Sequence, residues 1–331
     1  MERLKCPQKI ERKPGSNALI GLLHADYQRD LTGVDIALAG VPFDLAVSNR
    51  SGTRLGPKYL RSKGLRNIVS DPDLDIDIKN TIKIVDYGDF QLESGYLTDS
   101  FEKITRQTKQ ILDAGVTPVL VGGDHSITLP ELKAYYLKYG KMAVVHFDSH
   151  LDTGVDRSAT KDIYTHGSPF SWAIKKGYVD GSHMIQIGIR GGWQNLTDTD
   201  NFTKTYGREY ILARDLHYMT YEEIGDKIRD KVGSMPVFIT FDIDFLDPAY
   251  APGTGTPVVG GFSVQDAVQI LEKGLIGLDV KGADLVEVMP GYDPGEITAN
   301  AASAVLQKLV SIIAYNKIMT DEAGDLHDGS N

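Results

Sequence analysis

The sequence of 331 residues contains a single cysteine, Cys6. That excludes an intrachain disulfide and any zinc site built on cysteine pairs. A basic surplus is also missing: 35 Lys and Arg stand against 45 Asp and Glu, for a net charge of −10. The basic residues are scattered, so nucleic acid and anionic membrane are not expected as partners. The N-terminal MERLKCPQKIERKPGSN lacks the apolar stretch of a secretory signal, and no 18-residue apolar span is expected anywhere in the chain. A soluble, cytoplasmic protein is the expectation. Internal repeats, low-complexity tracts and linker-like composition breaks are lacking too, which points to one domain over 1–331. Its ordered core is expected at about 18–318, with tails at 1–17 and at 320–331, the latter acidic and polar.

What is present is an alternation of apolar β-rich runs with helix-period segments. The runs lie at 34–44, 81–89, 116–125, 141–148, 183–190, 210–215, 235–244 and 282–290. Several are apolar on both faces, as strands covered by helices on both sides must be. Phe101, Ile104, Thr108, Ile111 and Leu112 mark one helix face that Gly115 ends, and Ser263 is a fitting N-cap for another helix. This alternation predicts an α/β fold with a mostly parallel sheet.

Ligands of open α/β sheets bind beyond the carboxyl ends of the strands. Three runs finish there in metal-ligand residues: GGDH, HFDSHLD and FDIDFLD. A fourth finishes in EVMP. Asp-x-Asp alone means little in so Asp-rich a chain. DPDLDIDI (71–78) is a decoy: it starts like a calcium loop but has Ile76 where the turn needs Gly, and it reads as a solvated turn. The weight lies in the conjunction of His125, Asp148, His150, Asp152, Asp242 and Asp244, each just past an apolar strand. Alternate residues of an extended strand lie about 6.6 Å apart, so the chain must curl after Asp148 for 148, 150 and 152 to meet. Two histidines and four carboxylates exceed what one catalytic zinc takes. They suit two divalent ions, with Mn²⁺ favoured by the carboxylate-rich donor set and Ni²⁺ or Co²⁺ as substitutes.

These motifs, with VGGDHSITLP, THGSPF, FDIDFLDPAYAPGTGTPVVGG, EVMPGYDPGEITA and NRSGTRLGP, run in order over about residues 35–310. In them the chain resembles the ureohydrolase family, which includes arginases and agmatinases. The resemblance implies a single three-layer αβα domain with an eight-stranded parallel sheet, and a trimeric or hexameric homo-oligomer. It implies that His125, Asp148, Asp152 and Asp242 hold one metal ion, and that His150, Asp148, Asp242 and Asp244 hold the other. His146 falls outside this ligand set and is expected to be a satisfied core histidine. His166 matches the proton-shuttling histidine and Glu287 the carboxylate that pairs with a guanidinium, while Asp152 is expected to help stabilise the tetrahedral species. Gly253, Gly255 and Arg54 read as structural.

The implied reaction is hydrolysis of a small cationic guanidino substrate to urea and an amine. GVD at 154–156 lacks the Asn and small polar residues that fix the amino-acid end of arginine, so the resemblance is nearer agmatinases. Ser149 and Leu151 replace the usual Ala and Thr, with Leu151 expected to narrow the cavity, and Trp193 is expected at the pocket rim, where it could stack on a cation. Guanidinobutyrate, guanidine and an alkylated guanidine are the alternative substrates. A non-catalytic scaffold subunit and a single-zinc deacetylase are the readings from other classes.

Overall fold

The computed structural model describes residues 21–64, 66, 70–154, 162–192 and 196–328. Cys6, Trp193 and the 155–161 part of the specificity loop lie outside the described residues. Nine strands form one sheet: β1 (Asp26–Tyr27), β2 (Ile36–Val41), β3 (Ile84–Asp89), β4 (Thr117–Gly122), β5 (Met142–Phe147), β6 (Val179–Ile189), β7 (Glu209–Leu212), β8 (Val237–Asp242) and β9 (Val280–Val286). Their order is β1-β3-β2-β4-β9-β8-β5-β6-β7, and every pairing is parallel. The eight expected strands are all there. The ninth, β1, is a correction to that number, and two exposed residues on an edge leave no hydrophobic pattern to read.

Side chains alternate between two cores. Val119, Val121, Val145 and Phe147 enter one, together with the final helix Ile297–Asp328. Leu120, Val144, Ala37 and Ala39 enter the other, against helices Leu97–Asp113 and Thr128–Tyr139. This is why the strands read as continuous apolar runs. Ser263 caps helix Val264–Leu275 by accepting from the Asp266 amide, and the Asp266 side chain completes a capping box.

Two expectations change. Residues 294–320 are long and apolar enough to cross a bilayer, with mean hydropathy 1.4, but 78% of the best window is buried inside the protein. It is a core helix. Its backbone also continues to Asp328, into the stretch that composition marks as a tail. The second change concerns DPDLDIDI, which does turn, through an Asp71–Ile76 bridge, but is not simply solvated. Asp71 is buried, and the buried Lys308 ammonium sits 2.9 Å from it, 3.0 Å from Glu272 and 3.4 Å from Asp73. Removing one partner of such a cluster leaves uncompensated buried charge. Lys308→Ala is therefore expected to lose about 3–5 kcal/mol of stability in urea unfolding. A loss under about 1 kcal/mol would show that the cluster is solvated after all.

Candidate metal centre

β4, β9, β8 and β5 are neighbours in the middle of the sheet, and each delivers its carboxyl end to the same place. After β4 the buried Asp124 caps the short helix His125–Ile127 by accepting from the Ser126 amide at 3.0 Å, and it also takes the Ala46 amide at 2.9 Å. That helical turn aims the His125 ring back over the sheet. After β5, Asp148 accepts the His150 amide at 2.5 Å, which supplies the curl the sequence requires. After β8, Asp242 accepts the Asp244 amide at 2.8 Å and starts the turn Ile243–Phe245.

The six candidate ligands come together. His125 Nδ1 lies 3.1 Å from Asp148 Oδ2, 2.9 Å from Asp152 Oδ2 and 3.4 Å from Asp242 Oδ2. His150 Nδ1 lies 3.1 Å from Asp244 Oδ2 and 3.4 Å from Asp148 Oδ1. Asp148 thus faces both groups through different oxygens. Asp152 and Glu287 reach their places with φ of 47° and 65°, left-handed conformations that are costly for side chains of this size and typical of functional sites.

The donor set fits divalent cations. His125 is fully buried and its Nε2 lies 2.9 Å from the Thr240 hydroxyl, so the other ring nitrogen is left toward the three carboxylates. That nitrogen has no hydrogen-bond partner. A buried, unbonded imidazole nitrogen facing carboxylate oxygens is what a metal-ligating histidine presents when its outer nitrogen is fixed. The local potential is also strongly negative. Burial and the charges of Asp244 and Asp148 hold the Asp242 carboxyl well above its ordinary range. Burial opposes the charged form of His150, yet Asp244 and Asp148 carry its pKa up to about 12.

His146 is buried beside this centre. It lies within ligand reach of His125 and Asp148, but both its ring nitrogens are engaged: Nε2 is 2.7 Å from Asp148 Oδ2 and Nδ1 is 2.7 Å from Gln186 Nε2. His166 Nδ1 is 2.9 Å from Glu287 Oε1, and its Nε2 lies 2.7 Å from the Ser48 hydroxyl. Glu287 Oε1 also accepts the His125 amide at 2.9 Å, while its buried Oε2 has no partner. Gly255 leaves the space beside that oxygen open, since a Cβ there would lie 3.4 Å from it. Gly253 is structural, its amide donating to Thr298 and its carbonyl accepting from Met289. Arg54 ties its loop to the buried Asp44.

Motif reading overlooked Asp124, Ser48, Thr240 and Gln186. Asp124 was within reach, since it stands beside His125 in GGDH. Thr240 lies inside the β8 run ahead of Asp242, Ser48 and Gln186 lie on a distant loop and strand, and none of the three carries a local signal. Ser149 is more than a variant of Ala: its hydroxyl donates to Asp244 at 2.8 Å and its amide at 3.0 Å. Leu151 is buried, and its carbonyl accepts from Gln186.

A profile of the arginase family matches residues 34–311. The chain belongs to the arginase family. It is 39% identical over 294 residues to an agmatinase of Proteus mirabilis, spanning 88% of this chain and 92% of that protein. It is 35% identical over 314 residues to a mitochondrial guanidino acid hydrolase of Homo sapiens, spanning 95% and 87%. The crystal structure of a hypothetical agmatinase from Burkholderia thailandensis superposes with a TM-score of 0.83 at 36% identity, covering 96% of this chain and 98% of that one. This arginase-family protein is a metal-dependent ureohydrolase that cleaves a C–N bond of a guanidino compound.

The His166–Glu287 contact predicts a pH dependence. Burial lowers the His166 pKa, but the hydrogen bond and charge of Glu287 raise it from the ordinary 6.5 to about 9. A folded-state value above the unfolded one gives stability that is full below pH 6.5 and lost as pH rises through 9. The stability gap between metal-free wild type and His166→Gln is therefore expected to narrow across that window. A gap that stays constant in denaturant titrations would rule the pairing out.

Proposed function

We propose that this ureohydrolase acts on agmatine or a close ω-substituted alkylguanidine, with Mn²⁺ as its metal. The observation that carries guanidinium recognition is Glu287: one buried carboxylate oxygen is tied to His125 and His166, and the other is unpartnered beside the metal-ligand cluster. That oxygen can accept from the planar cation and orient its carbon over the cluster. His125, Asp148, Asp152 and Asp242 would hold one divalent ion, and His150, Asp148, Asp242 and Asp244 the other. When bound, the ions supply a hydroxide nucleophile at neutral pH. His166, held between Glu287 and Ser48, delivers a proton to the departing amine nitrogen as the C–N bond breaks. Asp152, partly exposed on the His125 side, faces the developing tetrahedral carbon. Ni²⁺ and Co²⁺ are the alternative metals, Trp193 is a candidate contact for the far end of the substrate, and a cytoplasmic trimer or hexamer is the proposed working form.

Similarity to a guanidino acid hydrolase over 95% of this chain favours one second reading, an ω-guanidino acid. Urea release with Mn²⁺ or Ni²⁺ supplied separates them when agmatine, guanidinobutyrate, guanidinopropionate, arginine, guanidine and dimethylguanidine are compared. The expected result is the highest kcat/KM for agmatine. A preference for guanidinobutyrate would install the second reading, and no urea from any of them would refute both.

A further inference from the structure

Arg208 is the bulkiest fully buried side chain among the described residues, and no described carboxylate pairs with it. Its guanidinium instead serves neutral oxygens: Nη1 donates to Gln186 Oε1 at 2.5 Å, and Nη2 to Thr203 Oγ1 at 2.8 Å and the Thr199 carbonyl at 3.2 Å. The rings of Phe202 and Tyr210 lie 5.2 and 5.0 Å from its central carbon. Burial pulls its pKa down to about 10, with the nearby Tyr210 pushing the other way. A cation buried at that desolvation cost is unusual.

Its consequence can be followed bond by bond. A guanidinium only donates, so the Gln186 amide must turn its oxygen to Arg208 and its NH₂ the other way. That NH₂ meets the Leu151 carbonyl at 2.5 Å, which can only accept, and His146 Nδ1 at 2.7 Å. Because an amide NH₂ also only donates, Nδ1 must accept, and the ring proton of neutral His146 resides on Nε2. Nε2 then donates to Asp148 Oδ2 at 2.7 Å. Sheet register makes the link possible, since His146 and Gln186 are paired partners on β5 and β6.

We propose that Arg208 and Gln186 are positioning residues for the metal centre, fixing His146 as the donor to the shared carboxylate Asp148 and pinning the turn that carries His150 and Asp152. The inference rests on the binuclear reading of the site but adds two residues to it. A ligating carboxylate held by an outer hydrogen bond keeps one orientation, and a turn held at Leu151 keeps the spacing of the two ligands that flank it.

Three measurements on metal-stripped protein test this. Selective ¹⁵N-histidine NMR of the wild type should show His146 protonated at Nε2 alone, and an Nδ1–H tautomer would overturn the chain of donors. Gln186→Glu keeps an acceptor for Arg208 and so protects the fold, but it offers no donor to His146 or Leu151. Gln186→Leu removes both contacts and the acceptor. Titration with Mn²⁺ against a chelating indicator should show about 10–100-fold weaker binding in either variant, and Gln186→Glu should show it at a melting temperature near that of wild type. A purely packing role would lower the melting temperature and leave Mn²⁺ affinity unchanged, and wild-type affinity in the folded Gln186→Glu protein would overturn the proposal. Failure of wild type to bind two Mn²⁺ would instead sink the binuclear reading, with the tautomer measurement still standing by itself.

Discussion

Asp148→Ala protein is expected to bind neither divalent ion and to lose turnover by at least about three orders of magnitude, because bound ions would make water acidic enough to supply hydroxide at neutral pH. The size of the effect follows from the position of one side chain. Asp148 Oδ2 lies 3.1 Å from His125 Nδ1 and 2.7 Å from His146 Nε2, while Oδ1 lies 3.4 Å from His150 Nδ1. It belongs to both groups of candidate ligand atoms. Oδ1 also closes the turn after β5 through the His150 amide. Removing it takes away a shared anion and releases the segment that carries His150 and Asp152. Elemental analysis after dialysis, beside urea release, measures both consequences. Two ions per chain together with wild-type turnover would refute the assignment of the site.

Glu287→Gln is expected to lower kcat/KM by roughly 30- to 5,000-fold, the cost of about 2–5 kcal/mol for losing one partner of a buried charge pair. The substitution is chosen because Gln still offers an oxygen to the His125 amide, which Glu287 Oε1 accepts at 2.9 Å. The backbone entering His125 should therefore keep its geometry, and bound metal should stay at the wild-type level. What disappears is the anion that Oε2 presents to a guanidinium and that Oε1 presents to His166. Steady-state kinetics on agmatine measure the loss, and metal content shows that the centre is intact. Unchanged kcat/KM would mean that the guanidinium is held elsewhere.

Much of this was legible before any coordinates. Most of the eight expected strands announce themselves because helices cover both faces, so several are nearly unbroken apolar runs such as MAVVHF. The candidate ligands are legible for a related reason: ionisable residues placed directly after such a run stand out against their surroundings. His125, Asp148, His150, Asp152, Asp242 and Asp244 were each visible in this way. β1 was not, because a two-residue edge strand has no pattern. The acidic partners of Lys308 were not either, since Asp71 and Asp73 lie more than 200 positions away in the chain and look like any exposed acidic turn.

The sequence by itself determined the fold class, the strand ends that bear the chemistry and the donor types that call for divalent cations. Those properties reside in short segments, where local periodicity and composition suffice. Only the tertiary structure decided that Asp148 faces both histidine groups, that the His125 nitrogen toward the carboxylates is left unbonded, and that both ring nitrogens of His146 are engaged. These depend on strand order and register, which bring His146 beside Gln186 and, through it, Arg208, and contacts so distant in sequence leave no trace in local pattern.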